Sequence, residues 1–181
     1  PATAADFDKG MTAYRSGDYQ ASLAEWRPLA ESGHATAQYN LGLMYAQGMG
    51  VPQDYAMAAA WYRRAAEQGH AAAQYNLGVM YDIGQGVAKN YNQALAWYRK
   101  AAAQGDIKAQ NNLGLLYEFG HGALQDFVIA HMWYNLAASK GDEFGIRNRD
   151  RLAAKMPQEA TMQAQALARQ CRDSNYQECG D

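Results

Sequence analysis

The chain has 181 residues, 49% of them hydrophobic and 19% charged, with only four prolines, which is enough apolar surface to offset chain entropy and excludes a disordered protein. A formal net charge of −2 gives no broad positive field, so nucleic acid and anionic membrane are excluded as partners. No run approaches the roughly 18 apolar residues that cross a bilayer. Residues 1–10 have neither the charged n-region nor the apolar h-region of a leader, and a start at Pro1 leaves open whether an export signal preceded it.

The first element lies within residues 5–36, where Gly10, Tyr14, Gly17, Asp18-Tyr19, Trp26 and Gly33 set out a short helical hairpin. The same order then returns in a longer unit. Ala37-Gln38-Tyr39-Asn40-Leu41-Gly42 recurs as Ala73-Gln74-Tyr75-Asn76-Leu77-Gly78 and as Ala109-Gln110-Asn111-Asn112-Leu113-Gly114, each time 36 residues on. Tyr45, Gly48, Gly50, Trp61-Tyr62 and Gly69 keep that step, which divides the chain into units at 37–72, 73–108 and 109–144.

Within a unit, Ala37, Leu41 and Tyr45 share one face of a first helix of about eleven residues. Gly42 beside them lets a second helix approach, and Gly48 and Gly50 make the turn that stops the first. Asp54, Asn90 and Asp126 are the N-caps of the second helices, which run from Tyr55 to about Gln68 in the first unit. After Gly141 the glycine turn is lost. Residues 146–156 and 157–172 form two capping helices, with Pro157 at a helix start, followed by a polar tail at 173–181. Hairpins with apolar residues on several faces must stack on their neighbours, so the expected fold is all-α, an α/α solenoid of about five hairpins in a right-handed superhelix.

Candidate chemistry is sparse. His34 and His70 follow glycines and read as turn residues with exposed imidazoles, and neither His121 nor His131 has a Cys or carboxylate at ligand spacing, so no metal is expected. Gly48-Met49-Gly50 lacks the strand, third glycine and lysine of a phosphate loop. No serine or cysteine stands with a base and an orienting group, and neither catalysis nor a cofactor is expected. The Trp-Tyr pairs are packing residues, and Asn40, Asn76 and Asn112 should tie helices or loops together by hydrogen bonds. Cys171 and Cys179, the two cysteines of the chain, flank seven polar-tail residues. They are placed to close a disulfide contributing about 2.5 kcal/mol on chain-entropy grounds, which points to an oxidising compartment.

The order A-x3-L-G-x2-Y-x2-G-x-G-V-x2-D-Y-x2-A-x2-W-Y-x2-A-A-x2-G resembles the Sel1-like repeat family, closely over 37–144 and loosely over 5–36 and 145–172, the first hairpin being a compact tetratricopeptide-like version. Unit three departs at Asn111, where the others carry tyrosine, and at Ala123, where they carry valine. The resemblance implies a bacterial scaffold or adaptor, periplasmic or secreted rather than cytoplasmic, that binds a protein or peptide along a concave face lined by the first helices. On that face the rows would be Tyr39, Tyr75 and Asn111; Leu43, Val79 and Leu115; Ala46, Asp82 and Glu118; and Gln47, Ile83 and Phe119. Asp82 and Glu118 would then form an acidic end suited to a basic residue beside apolar anchors. The resemblance also carries an alternative, a weak penicillin-binding or β-lactam-hydrolysing enzyme of the cysteine-rich kind.

Overall fold

The first N–H groups of a helix have no partner of their own, so an acceptor side chain ahead of a helix-periodic stretch sets where the chain turns helical. The structure, a computed structural model, describes residues 5–177 and 179. Over them the chain forms ten helices and no strand: α1 Phe7–Ser16, α2 Tyr19–Glu31, α3 Ala35–Gln47, α4 Tyr55–Glu67, α5 Ala71–Ile83, α6 Tyr91–Ala102, α7 Ile107–Phe119, α8 Phe127–Ala138, α9 Glu143–Ala153 and α10 Gln158–Asp173. Asp54, Asn90 and Asp126 cap α4, α6 and α8, each accepting from the N–H three residues on at 3.0–3.1 Å.

The caps of α3 and α5 correct one expectation, since His34 and His70 are more than exposed turn residues. Nδ1 of each accepts from the backbone N–H of Ala37 (3.2 Å) and of Ala73 (3.3 Å). At the same register Asp106 and Asp142 cap α7 and α9 (2.8 and 2.7 Å). His34 is exposed, but His70 is half-buried and its ring stacks on Tyr39 at 4.6 Å. Burial lowers the His70 pKa, favouring the neutral ring whose Nδ1 keeps a lone pair.

Residues up to Lys89 and residues from Asn90 onward form two compact units. In the first, α1 packs on α2, α2 on α3, α3 on α4 and α4 on α5. Its core gathers Leu23, Trp26, Ala30, Leu41, Met44 and Trp61, with Phe7, Met11 and Tyr14 at the margin. Two devices stitch one hairpin to the next. Buried Gln38 donates to the Ala30 carbonyl at 2.9 Å and buried Gln74 to Ala66 at 3.0 Å, satisfying carbonyls in the last turn of the preceding second helix. The glycine turn does the rest: Gly50 lies on Tyr19, and its carbonyl accepts from Gln20 Nε2 at 2.6 Å, while Gly86 lies on the backbone of Tyr55.

In the second unit α6 packs on α7, α7 on α8, and α8 on both α9 and α10. Gln110 donates to Ala102 at 3.5 Å and Gly122 lies on Tyr91, as in the first unit. The first capping helix, expected from residue 146, starts at Glu143 behind its Asp142 cap. Pro157 stands before α10 as expected. Cys171, buried on α10, is joined to Cys179. The loop between them brings the Tyr176 ring under Lys140 Nζ, 4.8 Å from the ring centre. Of the tail at 173–181, residues 178, 180 and 181 lie outside the described residues.

Candidate functional site

Because the second helices are held against neighbours by their Ala and Trp-Tyr faces, the outward positions of the first helices are the ones left to form a site. In the first unit they do so. Leu43, Ala46 and Gln47 of α3 and Asn76, Val79 and Met80 of α5 line the two sides of an open, mainly apolar cleft of about 240 Å³. Tyr62 of α4 closes its floor, with Tyr55 and Gln85 at one end.

Two residues make that floor. A Cβ on Gly42 would sit 2.6 Å from the Tyr62 ring, so only glycine lets the ring pass across α3. Burial pushes the Tyr62 phenol well above its ordinary pKa. The phenol therefore stays protonated and cannot act as a base or nucleophile. Trp26 stands 36 residues before Tyr62, and its N–H donates to the Phe7 carbonyl at 3.1 Å. Buried Asn40 Nδ2 is left without a partner.

The remaining expected site residues fall into three groups. Leu43 and Val79 are half-buried on the cleft. Tyr75, Asp82 and Leu115 are half-buried, and Phe119 is exposed. Tyr39 is half-buried too, but its ring is engaged between His70 and Tyr62, at 4.6 and 5.8 Å.

Asn111 and Glu118 depart from the expected rows. Asn111 is buried and donates from Nδ2 to the Asp142 carboxylate at 2.8 Å, bracing the cap of α9. Glu118, 6% exposed, does not form an acidic end open to a partner. Its carboxylate accepts two hydrogen bonds from the Arg151 guanidinium, both at 2.6 Å, and one from the Tyr134 hydroxyl at 2.9 Å. Burial pushes the Glu118 carboxyl up, but the bonds from Arg151 and Tyr134 outweigh it and hold the carboxyl below its usual range.

A carboxyl whose pKa falls on folding contributes stability that is complete above its unfolded value, near 4.5, and fades as pH drops through the folded value. Glu118→Gln should therefore cost about 2 kcal/mol at pH 7, less than for a fully buried pair because Arg151 is partly solvated. The gap between wild type and variant should narrow as pH falls below about 4.5 and go on closing as the pH passes through the lower folded value. Thermal melts from pH 3 to 7 measure it, and a gap that does not change with pH would refute it.

Sequence reasoning missed Gln38, Gln74 and Gln110, although they stand in the repeated string itself, and it missed Arg151. The signal for Arg151 was the register: Asn148 and Arg151 fall 72 residues, two full steps, after Asn76 and Val79.

The comparisons agree with this geometry. The Sel1 repeat family matches residues 35–70, 71–106 and 107–142, frames that begin on the first residues of α3, α5 and α7. No curated protein matches the chain. Among solved structures the chain is similar to a Sel1 repeat protein from Oxalobacter formigenes, with 32% identity and a TM-score of 0.77 over 94% of this chain and 78% of that one. It is also similar to a protective antigen present in uropathogenic Escherichia coli strains and displaying an SLR fold. That match has 28% identity and a TM-score of 0.67 over 96% of this chain and 46% of that one, so the chain spans under half of the antigen's length. With three repeats in register over more than half of its length, the chain belongs to the Sel1 repeat family of helical solenoid proteins.

Proposed function

We propose that the protein is an interaction scaffold that binds a protein or extended peptide through the outward faces of its first helices, with the cleft between α3 and α5 as the principal anchor site. The observation that carries this reading is the cleft itself. It is apolar, open, built on two rigid helices and edged by Leu43 and Val79, the form of a pocket that takes one anchor side chain of a partner. Gln47 and Gln85 in its lining carry amides able to meet the backbone of an extended peptide. Tyr75, Asp82, Leu115 and Phe119 extend the proposed contact set on their own helices, while Asn111 and Glu118 leave it because both side chains are buried, with the Asn111 Nδ2 and the Glu118 carboxylate bonded within the chain. The lining contains no serine, cysteine, histidine or lysine, and its Tyr62 phenol is held protonated, which supports reading the cleft as a binding site over an acyl-transfer centre. The Cys171–Cys179 bond supports an oxidising location, periplasmic or secreted.

The test is selection of a displayed peptide library on the folded protein, followed by anisotropy titration of an enriched peptide. Val79→Asp should weaken binding about tenfold or more, since a carboxylate in an apolar pocket costs well over 1.4 kcal/mol. Its melting temperature should stay close to wild type. Met162→Asp, at an exposed site on α10, should leave affinity unchanged. A peptide that binds both variants like wild type would move the site elsewhere.

A further inference from the structure

The open cleft has a counterpart in the second unit, and there the chain fills it from within. Two repeat steps carry Ala46 to Glu118, Tyr62 to Tyr134, Asn76 to Asn148 and Val79 to Arg151. In the first unit these positions are an alanine, a phenol, an amide and a valine around free space. In the second, the phenol donates to Glu118 at 2.9 Å, Arg151 reaches the same carboxylate through two nitrogens at 2.6 Å, and Asn148 Oδ1 accepts from Arg151 at 3.0 Å. A guanidinium therefore sits where the first unit leaves room for a guest.

We infer that the register position held by Ala46 and Glu118 determines which kind of side chain this cleft accepts. Glutamate selects a cation, here supplied by the chain's own Arg151. Alanine selects an uncharged apolar side chain, which identifies the guest of the open cleft as the apolar anchor of a partner peptide. The physical ground is desolvation. A buried carboxylate is tolerated only beside a bidentate cation, and a cation would enter the alanine-lined cleft without any counter-charge. This inference rests on the scaffold reading only in naming the partner of the first unit. The second unit tests the register rule without any partner.

Arg151→Val gives the second cleft the wall that Val79 gives the first, with Glu118 left unpaired. Its melting temperature should fall by about 5 °C or more at pH 7, and 10 mM propylguanidinium, used as the probe at roughly the reach of an arginine side chain, should restore at least half of that fall. The double variant Glu118→Ala/Arg151→Val recreates the alanine-lined cleft. It should melt close to wild type and should not respond to propylguanidinium. A double variant as unstable as Arg151→Val, or a response to the probe that is equal in all forms, would overturn the rule.

Should Arg151→Val fail to fold, Ala46→Glu in the otherwise intact protein decides the matter. The peptide selected on the wild type should bind Ala46→Glu about tenfold more weakly, and the same peptide with arginine at its anchor should bind Ala46→Glu about tenfold better than it binds wild type. Unchanged preference in Ala46→Glu would refute the rule. If no peptide binds the wild type, the scaffold reading fails, while the propylguanidinium measurement still decides this inference.

Discussion

Leu77→Ala should lower stability by about 2–5 kcal/mol, one of the largest losses available to a single side-chain truncation in this chain. Leu77 is fully buried in α5 and shares its register with Leu41 and Leu113, which are equally inaccessible. Truncation removes three heavy atoms from a site that the Gln74 and Gly86 contacts to the preceding hairpin keep from collapsing, so most of the volume becomes a cavity. Met80, one turn on, lines the proposed binding cleft, so affinity for the proposed partner should fall together with stability. Leu43→Ala, at a half-buried position on the cleft edge, should weaken binding at little cost to the fold. A thermal melt followed by circular dichroism should shift by about 5–15 °C for Leu77→Ala in a protein of this size. A melt within about 2 °C of wild type would mean that the inward face of α5 has been misplaced.

Much of the fold was legible because a repeat states each of its rules several times. The 36-residue step, the glycine turns and the caps at Asp54, Asn90 and Asp126 all follow from residue types whose local preferences agree with the tertiary structure. The legibility failed where a residue acts through its register rather than through its type. Histidine is an uncommon N-cap because it serves only when Nδ1 is unprotonated, so His34 and His70 looked like turn residues. The Asp106 and Asp142 that share their position were the available clue. The helix α9 began earlier than expected because Gly145, Ile146 and Arg147 replace the Ala-Gln-Tyr of the first two units and the Ala-Gln-Asn of the third, hiding a first helix that still keeps its cap. The outward row containing Glu118 was drawn from helical spacing, which gives the face of a residue but not the partner that arrives from another helix. Arg151 lies 33 residues further on, and Asn111 is taken up in the same way by Asp142, 31 residues away. The candidate site was thus half visible: its apolar edge could be read from one helix, and its charge pairing could not.

Gly86→Ala should cost about 3 kcal/mol or more, and Gly69→Ala only about 1 kcal/mol, although both glycines hold a left-handed backbone. At Gly69, with φ 90, nothing lies within 4 Å of an added Cβ, so the substitution incurs the conformational penalty alone. At Gly86, with φ 70, the Cβ would be driven into the Tyr55 carbonyl and to 2.8 Å from the Tyr55 Cβ. These are mainly backbone atoms, so no rotamer change can relieve the overlap. The turn must lift off the start of α4, and with it Gln85, which lines the cleft together with Tyr55. The pair of variants therefore separates the two tasks of glycine in this repeat: reaching a left-handed conformation, and letting one hairpin touch the backbone of the previous one. Urea titrations of the two proteins beside wild type measure both terms. Equal losses for Gly69→Ala and Gly86→Ala would show that the conformational penalty dominates, and that the close approach of the turn to Tyr55 contributes nothing to the stacking of the repeats.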